Sequence, residues 1–140
     1  MPGQSQFGAL EPRRPIVPEA KSIYVVDDDQ SMRTSIGRLL REYGYAAKLF
    51  DSARALLSHG SFDQAICMVI DINLENESGI DLRQQLLRQG ITAPIVFITG
   101  NDSEAHRAEA AKVGCAAYLT KPFSAKSLIA SMARACGPTT

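Results

Sequence analysis

From residue 22 onward, short apolar runs alternate with segments whose apolar residues recur at helical spacing. This alternation is typical of parallel strands joined by crossover helices. The apolar runs predict five strands, over residues 22–27, 45–50, 65–71, 94–99 and 116–120. We therefore expect a (βα)5 fold of the α/β class, with a doubly wound, parallel five-stranded sheet in the order 2-1-3-4-5.

Five helices are predicted between and after these strands. The first follows Asp29 and Ser31, which can cap it, and ends at Gly44. Its apolar residues recur every three to four positions, as on one face of a helix. The other helices are predicted over residues 52–58, 79–89, 103–113 and 124–135, and three of them end at Gly60, Gly90 and Gly114.

The first twenty residues are rich in proline and glycine and show no apolar period. Such a segment cannot bury enough apolar surface to fold, so we expect a flexible N-terminal extension over residues 1–20. Two uses stay open for it: a solvated tail, or a partner-binding arm that uses its apolar and basic residues. Residues 21–136 are expected to form one domain, followed by a short C-terminal tail at 137–140.

The overall charge gives no preference for nucleic acid or anionic lipid, since fifteen Lys and Arg residues offset fifteen Asp and Glu residues. The three cysteines lack CxxC spacing, which argues against a disulfide framework or a structural zinc site. The longest apolar run, residues 65–70, is too short to cross a bilayer. We therefore expect a cytoplasmic protein with no nucleic-acid or membrane partner, whose function resides in a local site.

Carboxylates follow the first and third predicted strands. The first strand leads into Asp27, Asp28 and Asp29, and three adjacent carboxylates repel one another unless solvent or a cation screens them. The third strand ends at Asp71. In a sheet of order 2-1-3-4-5 the carboxyl ends of strands one and three are neighbours, so Asp27, Asp28 and Asp71 should converge and could hold a hard divalent cation. Asp29 is better explained as a helix cap.

Two more polar residues follow the remaining strands. Thr99 closes the fourth strand, and Lys121 follows the fifth, just before Pro122. Singly, each has an ordinary explanation, because Thr99 could begin a turn and Lys121 could be a surface lysine. Together with the three carboxylates, they predict a site of acids, a hydroxyl and an ammonium group at one edge of the sheet.

Four motifs in this order resemble those of response-regulator receiver domains of two-component and phosphorelay signalling. They are VVDDD at 25–29, Asp71 after an apolar strand, ITG at 98–100 and KPF at 121–123. The resemblance covers residues 22–135 and is particularly clear with receivers of the nitrogen-fixation transcription regulator type. It implies a stand-alone response regulator, phosphorylated on Asp71 by a histidine kinase or phosphotransfer protein and signalling through protein contacts.

The resemblance also implies the roles of the metal-binding residues. Asp71 would be the phosphoacceptor, and Asp28 and Asp71 would ligate Mg²⁺ directly. Asp27 would assist directly or through water, and the backbone carbonyl of Asn73 would be a further ligand.

A second group of implied roles concerns the phosphoryl group and the switch. Thr99 and Lys121 would each contact a phosphoryl oxygen, and Tyr118 would change rotamer on activation. The Lys121–Pro122 bond is expected to be cis. Asn73 and Asn101 occupy the positions that tune the lifetime of the phosphoryl group.

One segment departs from the family pattern. Members usually carry Met-Pro at the third and fourth positions after the acceptor, whereas this chain has Leu74 and Glu75. We expect loss of the proline to free this loop, and Glu75 with Glu77 to add negative charge near the acceptor, altering metal affinity or partner choice. In the alternative interpretation, both glutamates point into water.

Three functions stay open on the sequence. The first is the signalling module, which is not an enzyme but carries out Mg²⁺-dependent self-phosphorylation and autodephosphorylation, and which could dimerise through its fourth helix, fifth strand and fifth helix. The second is an aspartyl phosphatase of the haloacid-dehalogenase kind, although Asn73 stands where that class needs a second acid. The third is a pseudo-receiver that keeps the fold and never carries phosphate.

Overall fold

In the computed structural model, which describes residues 21–136, seven strands and five helices follow one another along the chain. The strands are β1 (Ser22–Val26), β2 (Ala46–Phe50), β3 (Ala65–Asp71), β4 (Asn73–Leu74), β5 (Glu77–Ser78), β6 (Ile95–Thr99) and β7 (Ala117–Thr120). The helices are α1 (Gln30–Glu42), α2 (Ala53–His59), α3 (Gly79–Arg88), α4 (Glu104–Val113) and α5 (Ala125–Cys136). The predicted extension at 1–20 and tail at 137–140 lie outside the described residues.

Five of the strands form one parallel sheet in the order β2-β1-β3-β6-β7. This confirms the predicted order 2-1-3-4-5, with β6 and β7 as the fourth and fifth strands of the sheet. The predicted bounds of the strands and of the last four helices differ from the observed ones by at most one residue, whereas α1 ends at Glu42, two residues before Gly44. Asp27, for example, was assigned to the first strand, but the pairing of β1 with its neighbours ends at Val26.

Strands β4 and β5 form a small antiparallel hairpin outside the sheet, between Asp71 and α3. The sequence predicted a freed loop here, and this expectation is wrong. Leu74 is buried against the core and anchors the hairpin. Asn76 turns the chain with a φ of 70°, a left-handed conformation that asparagine tolerates better than most residues.

The sheet separates two apolar cores. Successive side chains of a strand point to opposite faces, and β1 shows this directly: Tyr24 and Val26 pack in one core, and Ile23 and Val25 in the other. Helices α2, α3 and α4 cover the first core, and α1 and α5 cover the second, as the buried residues of each helix show. Because both faces are covered, the strands read as continuous apolar runs.

The helix ends follow the predicted chemistry. Asp29 is the N-cap of α1, where its side chain accepts a hydrogen bond from the Met32 N–H at 3.2 Å. The glycines predicted to end helices, Gly60, Gly90 and Gly114, all have positive φ and follow α2, α3 and α4. Within residues 21–136, no helix has the length and apolar character needed to span a membrane.

Candidate functional site

The predicted site residues lie together at the carboxyl edge of the sheet. Asp27 follows β1, Asp71 ends β3, Thr99 ends β6 and Lys121 follows β7. Parallel strands all present their carboxyl ends to the same edge, so four segments far apart in the sequence deliver polar side chains to one place. The predicted convergence is therefore found in the structure.

The three carboxylates form a compact cluster. Asp27, Asp28 and Asp71 each offer one oxygen, and these oxygens lie within 4.8 Å of one another. Asp27 and Asp71 are buried, whereas Asp28 is exposed to solvent. Carboxylate oxygens are the ligands that a small, hard divalent cation takes. The donor set therefore fits such a cation.

Lys121 supplies the positive charge that faces this cluster. Its Nζ lies 3.1 Å from Oδ2 of Asp27 and 3.0 Å from Oδ2 of Asp71. Burial lowers the pKa of Lys121, but its hydrogen bonds to Asp71 and Asp27 outweigh that effect and raise it above the ordinary value. Lys121 thus remains an ammonium group over the working range of pH. The Lys121–Pro122 peptide bond is cis, as the resemblance implied.

Both buried carboxylates are oriented by the chain that follows them. Oδ1 of Asp27 accepts the Asp29 N–H at 2.9 Å, and Oδ1 of Asp71 accepts the Asn73 N–H at 2.9 Å. Each acid therefore has one oxygen fixed by a backbone donor two residues on, while the other faces Lys121. This arrangement holds the carboxylate planes before any ligand arrives.

The surroundings of Asp71 shift its protonation equilibrium. Burial raises the pKa of Asp71, the Asn73 N–H and Lys121 lower it, and the nearby charge of Asp27 raises it again. The net effect is a raised pKa, so Asp71 is a more basic carboxylate than an exposed aspartate. A basic carboxylate beside a fixed ammonium group is suited to nucleophilic attack.

The hairpin that replaces the expected free loop contacts the cluster directly. The Glu75 N–H donates to Oδ2 of Asp28 at 2.8 Å. The side chains of Glu75 and Glu77 are exposed, in line with the alternative in which both glutamates point into water. The departure from Met-Pro at Leu74 and Glu75 thus adds a backbone donor at the site, because proline has no N–H.

Gly79 lets α3 begin directly against β3, the strand that ends at Asp71. A Cβ atom at this position would lie 2.3 Å from the carbonyl oxygen of Asp71 and 2.8 Å from Cγ2 of Ile70. No side chain can be accommodated at such distances without moving the backbone. Glycine at position 79 therefore fixes how closely α3 approaches Asp71.

Thr99 joins the two sides of the site. Its side chain is fully buried, and its hydroxyl donates to Oδ1 of Asn73 at 2.7 Å and accepts the Asn101 N–H at 3.0 Å. The hydroxyl is therefore bonded to the residue two positions after Asp71 and to the loop that leads to α4. The side chain of Asn73 lies at the site, whereas its carbonyl as a metal ligand stays a prediction.

Tyr118 lies in β7 and is bonded away from the carboxylates. Its hydroxyl donates to Oδ1 of Asp102 at 2.9 Å, and Arg107 binds the same carboxylate. Sequence analysis missed Asp102, and also Arg33, whose guanidinium donates to the carbonyl oxygen of Asp27 at 2.8 Å. Both are ordinary surface residues in the sequence pattern, and only the folded chain brings them to the site residues.

The fold and the site define a class of protein. Residues 23–133 match the response regulator receiver domain family, and the chain belongs to this family. Solved structures with the same fold include the chemotaxis protein CheY4 of Vibrio cholerae, at a TM-score of 0.76 and 23% identity, covering 84% of this chain and 99% of that one.

Curated relatives are named as regulators. Nodulation protein W of Bradyrhizobium diazoefficiens is 38% identical over 76% of this chain and 47% of its own length. Response regulator protein TodT of Pseudomonas putida is 30% identical over 81% of this chain and 50% of its own length. The solved structure of FixJ-N matches at a TM-score of 0.75 and 28% identity, over 87% of this chain and 98% of that one. The chain spans about half the length of the curated relatives it matches.

Proposed function

We propose that this chain is the phosphoacceptor of a two-component or phosphorelay system. A sensor histidine kinase or a histidine phosphotransfer protein would donate a phosphoryl group to Asp71. The observation that carries the proposal is the position of the Lys121 ammonium, 3.0 Å from Asp71, beside three carboxylates whose oxygens lie within 4.8 Å. Acid, ammonium and metal ligands are the groups that phosphoryl transfer to a carboxylate requires.

The transfer can be described atom by atom. A carboxylate oxygen of Asp71 attacks the phosphorus atom of a phosphohistidine, and the P–N bond breaks as the new P–O bond forms. The donor imidazole leaves with the electron pair, and the product on this chain is an acyl phosphate. The raised pKa of Asp71 supports this role, because the more basic carboxylate is the better nucleophile.

The remaining residues would stabilise the transferred group. Mg²⁺ held by Asp27, Asp28, Asp71 and the carbonyl of Asn73 would supply charge neutralisation at the phosphoryl oxygens. Lys121 would pair with another phosphoryl oxygen from its position between Asp27 and Asp71.

Thr99 gives the reaction a conformational consequence. Its hydroxyl now bonds to Asn73, and in the proposed product it would leave that side chain and donate to a phosphoryl oxygen. A short movement of β6 and its following loop would then carry the signal away from the acceptor. We propose that the change is read by a protein target in the cytoplasm, with dimerisation through α4, β7 and α5 as one route, and that the chain catalyses no reaction beyond its own phosphorylation and dephosphorylation.

The extent of the whole protein bears on the output. Curated relatives are about twice as long as the matched segment, so the expectation of a stand-alone regulator stays a prediction. The same applies to the absence of a nucleic-acid partner, because FixJ of Azorhizobium caulinodans, 32% identical over 86% of this chain and 57% of its own length, is named a transcriptional regulatory protein. Protein contacts remain the proposed mode of action of the described domain.

The test is incubation with Mg²⁺ and a small acyl phosphate, followed by intact-mass measurement. The wild-type chain should gain the mass of one phosphoryl group, Asp71→Asn should gain none, and removing Mg²⁺ with a chelator should abolish the gain. Asp63→Asn, at an acid outside the site, is the matched control and should be modified like the wild type. An unmodified wild-type chain beside a labelled control receiver would contradict the proposal.

A further inference from the structure

Two residues, Asp102 and Arg107, contact the aromatic residue of β7, Tyr118. The Tyr118 hydroxyl donates to Oδ1 of Asp102 at 2.9 Å. Arg107 binds Asp102 through two hydrogen bonds, from Nε to Oδ1 at 2.9 Å and from a terminal nitrogen to Oδ2 at 2.8 Å. The guanidinium carbon of Arg107 also lies 5.1 Å from the centre of the Tyr118 ring. We call Asp102, Arg107 and Tyr118 the tyrosine clasp.

The tyrosine clasp connects three elements around the site. Asp102 lies in the loop between β6 and α4, three residues after Thr99, while Arg107 lies in α4 and Tyr118 in β7. The same loop is bonded to Thr99 through the Asn101 N–H at 3.0 Å. A movement of the Thr99 hydroxyl would therefore displace the β6–α4 loop, which the tyrosine clasp holds to α4 and β7.

The tyrosine clasp fixes the position of its side chains more than it stabilises the folded chain. Arg107 and Asp102 are both exposed, with side chains at 58% and 36% of full accessibility, and an exposed ion pair adds little to the free energy of unfolding. Its geometry is nevertheless specific, because two parallel hydrogen bonds and a stacked ring fix the guanidinium relative to Tyr118. The hydrogen bonds from Arg107 and Tyr118 also hold the pKa of Asp102 below its ordinary value, so its carboxylate stays charged.

We propose that Asp102 and Arg107 are positioning residues that hold the Tyr118 hydroxyl at the β6–α4 loop and keep this loop in the arrangement in which Thr99 bonds to Asn73, which opposes phosphorylation. The inference rests on the proposed function, in which Thr99 has to leave Asn73 for a phosphoryl oxygen. A ligand that needs Thr99 to leave Asn73 must then also break the tyrosine clasp. The free energy of breaking it reduces the affinity of the chain for that ligand. Weakening the clasp should increase that affinity.

The test uses the full chain and beryllofluoride with Mg²⁺, a mimic of the aspartyl phosphate, titrated by NMR. Asp102→Ala and Tyr118→Phe should each bind beryllofluoride about fivefold more tightly than the wild type, a typical size for coupling between sites. The double variant should gain no more than Asp102→Ala alone, since Asp102→Ala already removes the hydrogen bond that Tyr118→Phe removes. Glu104→Ala removes an exposed acid two residues from Asp102 that makes none of the clasp contacts, and it should bind like the wild type.

A second measurement concerns the unmodified protein and does not depend on phosphorylation. The Tyr118 ring should occupy one χ1 rotamer in the wild type and in Glu104→Ala, and should average over more than one in Asp102→Ala. Unchanged affinity together with an unchanged rotamer in Asp102→Ala would overturn the clasp. A wild-type chain that binds no beryllofluoride would instead count against the proposed function, and the rotamer measurement would still decide whether the clasp holds Tyr118.

Discussion

Asp71 lies among more negative than positive charge. Asp27 and Asp28 are its neighbours in the cluster, and Lys121 is the ammonium group that bonds to it. Burial and the charge of Asp27 raise the pKa of Asp71, and the Asn73 N–H and Lys121 offset this only in part. The ionisation of Asp71 therefore costs more free energy in the folded chain than in the unfolded one, and groups with such shifted pKa values are common at functional sites.

The pH dependence of stability follows from this raised pKa. A group with a higher pKa in the folded state contributes stability that is present below its unfolded pKa, about 3.9 for aspartate, and is lost as the pH rises through the folded value. At neutral pH the ionised Asp71 thus destabilises the metal-free chain. Asp71→Asn removes that effect and should raise the free energy of unfolding at pH 7 in chelator by about 1 kcal/mol, a usual size for a single substitution.

Chemical denaturation of both chains across pH 3 to 7 would measure this. The advantage of Asp71→Asn should shrink as the pH falls through the raised folded pKa of Asp71, and it should be gone below about 4, where aspartate is protonated in the unfolded chain as well. A variant that is less stable than the wild type at pH 7 without metal would show that the Lys121 hydrogen bond outweighs burial.

At the scale of elements, the hairpin of β4 and β5 is the clearest difference from the sequence expectation. Loss of the family proline was expected to free the loop, whereas Leu74 is buried and the Glu75 N–H is bonded to Asp28. Two strands of two residues each carry no readable alternation, so the pattern of 73–78 could not predict them. The contact with Asp28 depends on the approach of the first and third strands, which no local pattern encodes.

The hairpin allows charge and hydrogen bonding to be separated by two substitutions. Glu75→Pro removes the N–H that occupies Oδ2 of Asp28, and a turn with positive φ only at Asn76 accepts proline at the preceding position. Freed of this donor, Asp28 should bind Mg²⁺ about threefold more tightly, the equivalent of part of one ordinary hydrogen bond. Glu75→Ala keeps the N–H and removes only the exposed negative charge, which attracts a cation. The Mg²⁺ affinity of this variant should therefore fall slightly.

Titration calorimetry with Mg²⁺ gives both affinities. Both variants lose the charge of Glu75, but only Glu75→Pro loses the N–H. An increase in Mg²⁺ affinity for Glu75→Pro and a decrease for Glu75→Ala would therefore come from the N–H and not from the charge. Equal changes in both variants would show that the carboxylate of Glu75, and not its backbone N–H, acts on the metal site.

At the scale of the whole molecule, one sheet edge gathers groups from residues 27 to 121. Because the carboxylates converge only in the folded chain, a cation that binds them binds the folded state and stabilises it. Saturating Mg²⁺ at one hundred times its dissociation constant should add about 2.7 kcal/mol to the free energy of unfolding. Chelator should reverse the gain.

Thermal unfolding with and without Mg²⁺ measures this linkage. Asp28→Asn is a suitable variant, since Asp28 is exposed and its loss should leave the metal-free chain folded. The variant should lose most of the Mg²⁺-dependent rise in melting temperature. A full rise in Asp28→Asn would place the cation elsewhere on the protein.

The sequence by itself determined the (βα)5 fold, the strand order, the helix caps and the five residues Asp27, Asp28, Asp71, Thr99 and Lys121 at the strand ends. The elements, caps and strand-end residues follow from patterns that act over a few residues, and the strand order follows from the doubly wound class that the alternation of strands and helices indicates. The tertiary structure alone decided the hydrogen bond from Thr99 to Asn73, the hairpin donor on Asp28 and the tyrosine clasp. Each joins side chains or backbone groups from separate elements, and such pairs depend on distances that exist only once the two cores have packed.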